Sequence, residues 1–130
     1  MRLRMELFVR DLQASVRYYR EVLGFAVERA NEGYVSLRRG SVVLGLGPIA
    51  KLPDDGPGFT RARVTAGRGA GVEIVLELDT VEELRRWYEH VCARTTVTEP
   101  LQGRSWGLED FRLFDPDGYY LRLTHAPPSA

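Results

Sequence analysis

The sequence predicts an α+β protein made of two tandem βαβββ modules, and three observations lead there. An alternating apolar stretch at 3–9 and another at 72–78 each run into a capped amphipathic helix. Each helix is followed by three further strand-like stretches separated by turn residues. Aligning the two caps, Asp11 and Thr80, brings both halves into one register, with Leu12 opposite Val81, Tyr19 opposite Tyr88 and Arg4 opposite Glu73.

In the first module, Leu3, Met5, Leu7 and Val9 alternate with Arg4, Glu6 and Phe8, the period-two pattern of a strand with one face in a core. Asp11 is a good N-cap, and the apolar stripe Leu12, Val16, Tyr19 and Leu23 has helical spacing up to the stop at Gly24. Strands are expected at 25–30, 34–38 and 41–46, with turns at Asn31-Glu32-Gly33 and Arg39-Gly40. In the second module, Ile74, Leu76 and Leu78 alternate with Glu73, Val75 and Glu77. Thr80 and Glu83 form a capping box ahead of the stripe Val81, Leu84, Tyr88 and Val91. Strands are expected at 95–98, 111–114 and 119–124, with Asp115-Pro116-Asp117-Gly118 as the last turn. Module one thus covers 1–47 and module two 71–126, within one domain of 1–130. The linker 48–70, punctuated by Pro48, Pro53, Gly56-Pro57-Gly58, Gly67 and Gly69, is either a tether or a lid carrying Phe59, Arg61 and Arg63.

A chain of 130 residues with 44% hydrophobic and 28% charged residues is long and apolar enough to bury a core. Its 18 basic and 18 acidic residues cancel, which argues against nucleic acid as a partner, because polyanion binding needs a basic excess. Lys51 is the sole lysine, so the remaining 17 cations are arginines, a bias read as codon usage before ligand chemistry. Cys92, the lone cysteine, cannot form an internal disulfide and is expected as a small buried hydrophobe in a reducing cytoplasm. No apolar run approaches the ~20 residues that span a bilayer, and the N-terminus alternates like a strand with no signal-peptide core. The expectation is a soluble, cytoplasmic protein with no membrane partner.

The run Val9-Arg10-Asp11-Leu12-Gln13-Ala14-Ser15 leading into Tyr18-Tyr19 and Leu23-Gly24-Phe25, together with Phe114-Asp115-Pro116-Asp117-Gly118-Tyr119, resembles the vicinal oxygen chelate superfamily. That superfamily includes glyoxalases, extradiol dioxygenases, fosfomycin-resistance enzymes and bleomycin-resistance proteins. The resemblance implies curled sheets forming a cup around a ligand site, in a homodimer. In metal-dependent relatives the ligands sit on the first and last strands of each module, and the matching positions here are Arg4, Gly45, Glu73 and Arg122. Of these only Glu73 can ligate, and one carboxylate beside guanidiniums does not hold a divalent ion. His90 and His125 fall off the cup face and are expected as surface or structural histidines. No metal and no cofactor are expected, which places the chain nearest in character to the metal-free bleomycin-resistance-type binding proteins.

Strand parity puts Arg4, Glu6 and Phe8, then Val43 and Gly45, on the cup face of module one, and Glu73, Val75, Glu77, Tyr120, Arg122 and Thr124 on that of module two. Charges withdrawn from water must be paired. Two arrangements are open: a closed network, for example Arg4 with Glu73 and Arg122 with Glu6, or a guanidinium left over for a ligand oxyanion. Gly45 is expected to leave room in the floor of the cup. Trp106, within Gln102-Gly103-Arg104-Ser105-Trp106-Gly107, resembles the Trp-Gly element of bleomycin-resistance proteins, where the ring stacks on flat ligands; a core or interface role is the other reading. Tyr34, Tyr120 and Phe59 complete a ligand-binding set of Arg4, Glu6, Phe8, Tyr34, Phe59, Glu73, Trp106, Tyr120 and Arg122, with no catalytic residue assigned. The expected function is non-catalytic binding and sequestration of a small aromatic natural product or antibiotic. The alternative is a metal-independent isomerase, epimerase or lyase acting on a carbonyl compound, with Glu73 as base and Arg4 or Arg122 stabilising an enolate.

Overall fold

A computed structural model of the protein describes residues 1–128. The chain divides into two units, the first covering Met1–Arg68 and the second starting at Gly69. The first contains β1 (Met5–Val9), α1 (Leu12–Glu21), β2 (Ala26–Asn31), β3 (Tyr34–Arg39), β4 (Val42–Pro48), a 3₁₀ turn at Ile49–Lys51 and α2 (Arg61–Ala66). The second contains β5 (Ile74–Leu78), α3 (Val81–Cys92), β6 (Glu99–Gly103), β7 (Glu109–Phe114) and β8 (Tyr120–His125). Apart from α2 and the 3₁₀ turn, the element order is βαβββ twice, as the alternating and helical periods require.

Each unit holds one four-stranded sheet, ordered β1-β4-β3-β2 and β5-β8-β7-β6. The first and last strands of each module run parallel and the other pairs are antiparallel. Helices α1 and α3 start as their caps dictate. The Ala14 amide donates to Asp11 Oδ1 at 3.0 Å and the Glu83 amide to Thr80 Oγ1 at 3.1 Å. Gly24 ends the first helical segment in the left-handed conformation, φ 74°. The core of the first unit is Leu7, Val9, Tyr19, Leu23, Leu37, Leu44 and Leu46. Tyr19 meets Phe25 edge-on, with ring centroids 5.8 Å apart. In the second unit Leu84 and Val91 of α3 are buried with Phe111, Leu113, Leu121 and Leu123 of the sheet. Each such side chain contributes about 1.5–3 kcal/mol on burial. Alternation leaves the opposite face of each sheet to polar groups.

Three local expectations are corrected. The stretch 95–98, β-branched and so strand-like in sequence, is not a strand. The Thr95 amide donates back to the Val91 carbonyl at 2.9 Å to close the end of α3, and pairing to β7 begins only when the Thr98 amide reaches Arg112 O, also at 2.9 Å. The 48–70 segment is not a bare tether. Thr60 caps α2 by accepting from the Arg63 amide at 3.2 Å, Val64 is buried, and Arg61 Nη1 donates to the Ala50 carbonyl at 3.0 Å. Cys92 is exposed, not buried. The side chain at 92 lies a rotation of about 100° beyond Val91, which takes it off the core-facing stripe. Among the described residues no helix is long and apolar enough to cross a membrane.

Candidate functional site

The polar sheet faces are set by register, and in each module an extra residue in the edge strand reshapes them. In the first sheet Val27 pairs with Leu37 but Arg29 pairs with Ser36, so Glu28 is a bulge. Such an insertion moves the residues beyond it to the other face. Without it Arg29 would share the face of Val27; with it Arg29 joins Ser36, Gly45 and Glu6, which lie opposite one another across β3, β4 and β1. The second sheet repeats the device, since Glu99 pairs with Arg112 but Gln102 with Asp110, again one residue too many.

On the first face Arg4 Nη2 donates to Glu6 Oε1 at 3.0 Å and to the Tyr34 hydroxyl at 2.7 Å, and that hydroxyl donates in turn to Glu6 Oε1 at 3.0 Å. Gly45 makes this triad possible. A methyl group at Gly45 would overlap the Glu6 carboxylate and the Tyr34 hydroxyl. The expected empty floor is therefore filled by these two side chains. Further along β1, Phe8 meets Phe59 with ring centroids 4.9 Å apart. Beside the triad is a cleft of about 630 Å³, lined by Arg2, Arg4, Glu28, Arg29, Ser36 and Arg38 among others. Arg38 Nε donates to Glu28 Oε1 at 2.7 Å, and this bond is the main cause that holds the Glu28 carboxyl below its ordinary range.

On the second face Arg122 Nε donates to Glu73 Oε1 at 3.0 Å. The face centres on Asp110, fully buried on β7. Asp110 Oδ1 accepts from Arg104 Nε at 2.8 Å and Arg112 Nε at 3.4 Å, Oδ2 accepts from Arg112 Nη2 at 3.4 Å, and Arg122 Nη1 is 3.8 Å from Oδ2. Glu99 Oε2 lies 3.3 Å from Arg104 Nη2 and 3.2 Å from Arg112 Nε. Arg112 Nη1 donates to the Tyr120 hydroxyl at 3.2 Å. That hydroxyl first, and Asp110 after it, raise the Arg112 guanidinium above its ordinary value against the opposing effect of burial. Tyr120 also lies against Phe114, centroids 5.3 Å apart.

The predicted set is thus gathered in part. Arg4, Glu6 and Tyr34 form one group, Phe8 and Phe59 a second, and Glu73 with Arg122 a third, with Tyr120 reached through Arg112. Arg4 pairs with Glu6 and Arg122 with Glu73, each within its own module. Trp106 stands on the turn between β6 and β7, 55% exposed, with the chain reversed by the Gly107 amide bonding to Arg104 O at 3.0 Å. It is not a core residue of its unit. Sequence reasoning missed Asp110, Arg112, Arg104 and Glu99. Parity could have found the first two, because Asp110 and Arg112 alternate with Phe111 and Leu113. His125 is buried, and both ring nitrogens are engaged, Nε2 by the Glu109 amide at 3.1 Å and Nδ1 by Ala126 O at 2.9 Å.

The residues at the ligand positions do not fit a divalent ion. Two are guanidiniums, one is glycine, and the carboxylate of Glu73 already accepts from Arg122. Among the described residues no group of three or more His, Cys, Asp or Glu is arranged to hold one.

No curated protein matches the chain. Its fold is similar to that of a lactoylglutathione lyase from Agrobacterium tumefaciens, with TM-score 0.76 and 18% identity over 97% of this chain and 93% of that one. It is also similar to an integron cassette protein from the mobile metagenome of V. cholerae, with TM-score 0.72 and 20% identity over 98% and 95% of the two chains. A glyoxalase/bleomycin resistance protein/dioxygenase from Nocardioides aligns with TM-score 0.69 and 18% identity over 100% and 88%. At these identities the likeness is one of fold. The family model extends it to sequence, matching residues 3–123, and so the chain belongs to the Glyoxalase/Bleomycin resistance protein/Dioxygenase superfamily.

Proposed function

We propose that the protein binds a small aromatic organic molecule at these polar sheet faces, without a metal and without transforming it, as a sequestering resistance-type protein. One observation carries the reading: both carboxylates next to or at the family's ligand positions, Glu6 and Glu73, are already hydrogen-bonded to a guanidinium of their own module. Groups held in this way form a fixed surface of donors and acceptors and not a set of open coordination sites. Phe8 with Phe59, Tyr120 with Phe114, and the exposed Trp106 add aromatic area on which flat rings can stack.

The alternative, proton abstraction by Glu73, requires its carboxylate to leave Arg122 at 3.0 Å before it can reach a substrate. The same geometry that favours binding therefore disfavours it. A thermal-shift screen with aromatic antibiotics, bleomycin among them, tests the proposal. A ligand at 100 times its Kd stabilises the folded state by about 2.7 kcal/mol, on the order of 10 °C for a chain of this size. Mass spectrometry of the recovered ligand should show it unchanged, with or without chelator. A chemically altered product would defeat the sequestration reading. The same reading takes the protein to act as a homodimer, supported by the exposed edge strand β2, and light scattering tests that.

A further inference from the structure

We infer that the ligand is an organic anion whose negatively charged group is held in the cleft of the first module by Arg2 and Arg29. This inference rests on the binding reading above and adds the class of ligand to it. The cleft is lined by four guanidiniums, Arg2, Arg4, Arg29 and Arg38, against one carboxylate, Glu28. Two of the cations are committed, Arg38 to Glu28 at 2.7 Å and Arg4 to Glu6 and Tyr34. The other two are not. Arg29 meets Glu28 only through space, and Arg2 has no partner among the described residues.

The bulge at Glu28 is what builds this surplus. It delivers Glu28 to Arg38 and, one residue later, turns Arg29 onto the face of Ser36. An unbulged strand would neutralise Arg38 and leave Arg29 on the face of Val27. Ser36 is 5% exposed and its hydroxyl lies 3.5 Å from Glu28 Oε2, so the polar floor of the cleft is itself ordered. The wider field has the same sign, since the first unit holds 12 of the 18 basic residues but 7 of the 18 acidic ones. A cleft of about 630 Å³ suits a small molecule and not a polymer. Two free guanidinium forks fit a group with two or three coplanar or tetrahedral oxygens, a carboxylate or a phosphate monoester.

Isothermal titration with phthalate, phenyl phosphate and the neutral phthalamide tests the inference. Both anions, or one of them, should bind at least tenfold more tightly than phthalamide, and the affinity should fall as salt is raised from 50 to 500 mM. Binding of one anion alone identifies the oxyanion. Arg2→Gln and Arg29→Gln should each weaken anion binding by about tenfold. Arg86→Gln, an exposed cation on α3, should leave it unchanged. Melting curves confirm that the variants are folded. Phthalamide binding as tightly as phthalate, anion binding indifferent to both arginines, or no binding of either anion would each overturn the anion site. None of those results touches the binding reading itself, which fails only if the aromatic panel finds no ligand or yields an altered one.

Discussion

Removing the Asp110 carboxylate should destabilise the second module more than any other single polar substitution on its sheet face. Asp110 has no exposed surface and faces three guanidiniums, at 2.8 Å for Arg104, 3.4 Å for Arg112 and 3.8 Å for Arg122. In Asp110→Ala those cations keep, among the described residues, Glu99, Glu73 and the Tyr120 hydroxyl as partners. Breaking a buried ion pair costs about 3–5 kcal/mol because the surviving charge is left uncompensated. The guanidiniums retain 16%, 19% and 21% exposure and can recover some hydration, which sets the expected loss at the lower end, about 3 kcal/mol. For a chain of this length that is roughly 12 °C in Tm. The comparison is Glu73→Gln. Its side chain is 35% exposed and pairs with one cation, so it should lose about 1 kcal/mol or less. Urea denaturation of both variants measures the difference. If Asp110→Ala costs no more than Glu73→Gln, the claim that Asp110 organises this face is wrong.

Four further outcomes follow from single sites. Glu28 and Glu109 are both lowered from 4.5, by Arg38 and Arg85 respectively, so their contribution to stability is present above pH 4.5 and is lost as pH falls through their folded values; Arg85→Gln should flatten part of the stability profile below pH 4.5 in urea titrations. His125 must accept from the Glu109 amide at Nε2, so the proton sits on Nδ1 and donates to Ala126 O; ¹⁵N ring shifts of an Nε2–H tautomer would contradict this. Cys92, being exposed, should be alkylated by iodoacetamide in the folded protein at a rate within about tenfold of the denatured chain. Gly45→Ala should displace the Glu6 carboxylate and free Arg4; stability should change by about 1 kcal/mol or less, because the strand gains what glycine lost, while the Tyr34 fluorescence or ring shifts should move.

The repeated order of elements, both helix caps and the core stripe were legible because each depends on local period and on a single capping side chain. Asp11, Thr80, Leu84 and Val91 behave as their spacing requires. The edge strands were not legible to the same degree. Thr95, Thr96, Val97 and Thr98 have strand propensity, but the end of α3 takes the Thr95 amide, and a helix terminus with open carbonyls outcompetes a weak intrinsic preference. The bulges at Glu28 and in β6 were invisible because alternation carries no mark of an inserted residue, and they decide which way Arg29 and Glu99 face. Parity gave the sheet face of Glu6, Gly45 and Arg122 but not the partners of their side chains. Parity gives the face of a side chain but not its neighbour, which depends on strand order.

That distinction explains why the two modules satisfy equivalent positions with different chemistry. In the second, Arg122 on β8 lies directly opposite Val75, and Glu73, two residues earlier and just before β5 begins, bonds its guanidinium. In the first, the matching last-strand position is Gly45, which has no side chain to offer Arg4. Arg4, just before β1, therefore turns to Glu6 two residues on, and Tyr34 crosses the space over Gly45 to bond both. A side chain restored at Gly45 would expel the group that now occupies its place, so neither Glu6 nor Tyr34 can be exchanged independently of the glycine. The double variant Gly45→Ala/Glu6→Ala should accordingly lose less stability than the sum of its single variants, by about 0.5 kcal/mol or more, and strict additivity in a double-mutant cycle would show that the glycine and the triad are unrelated.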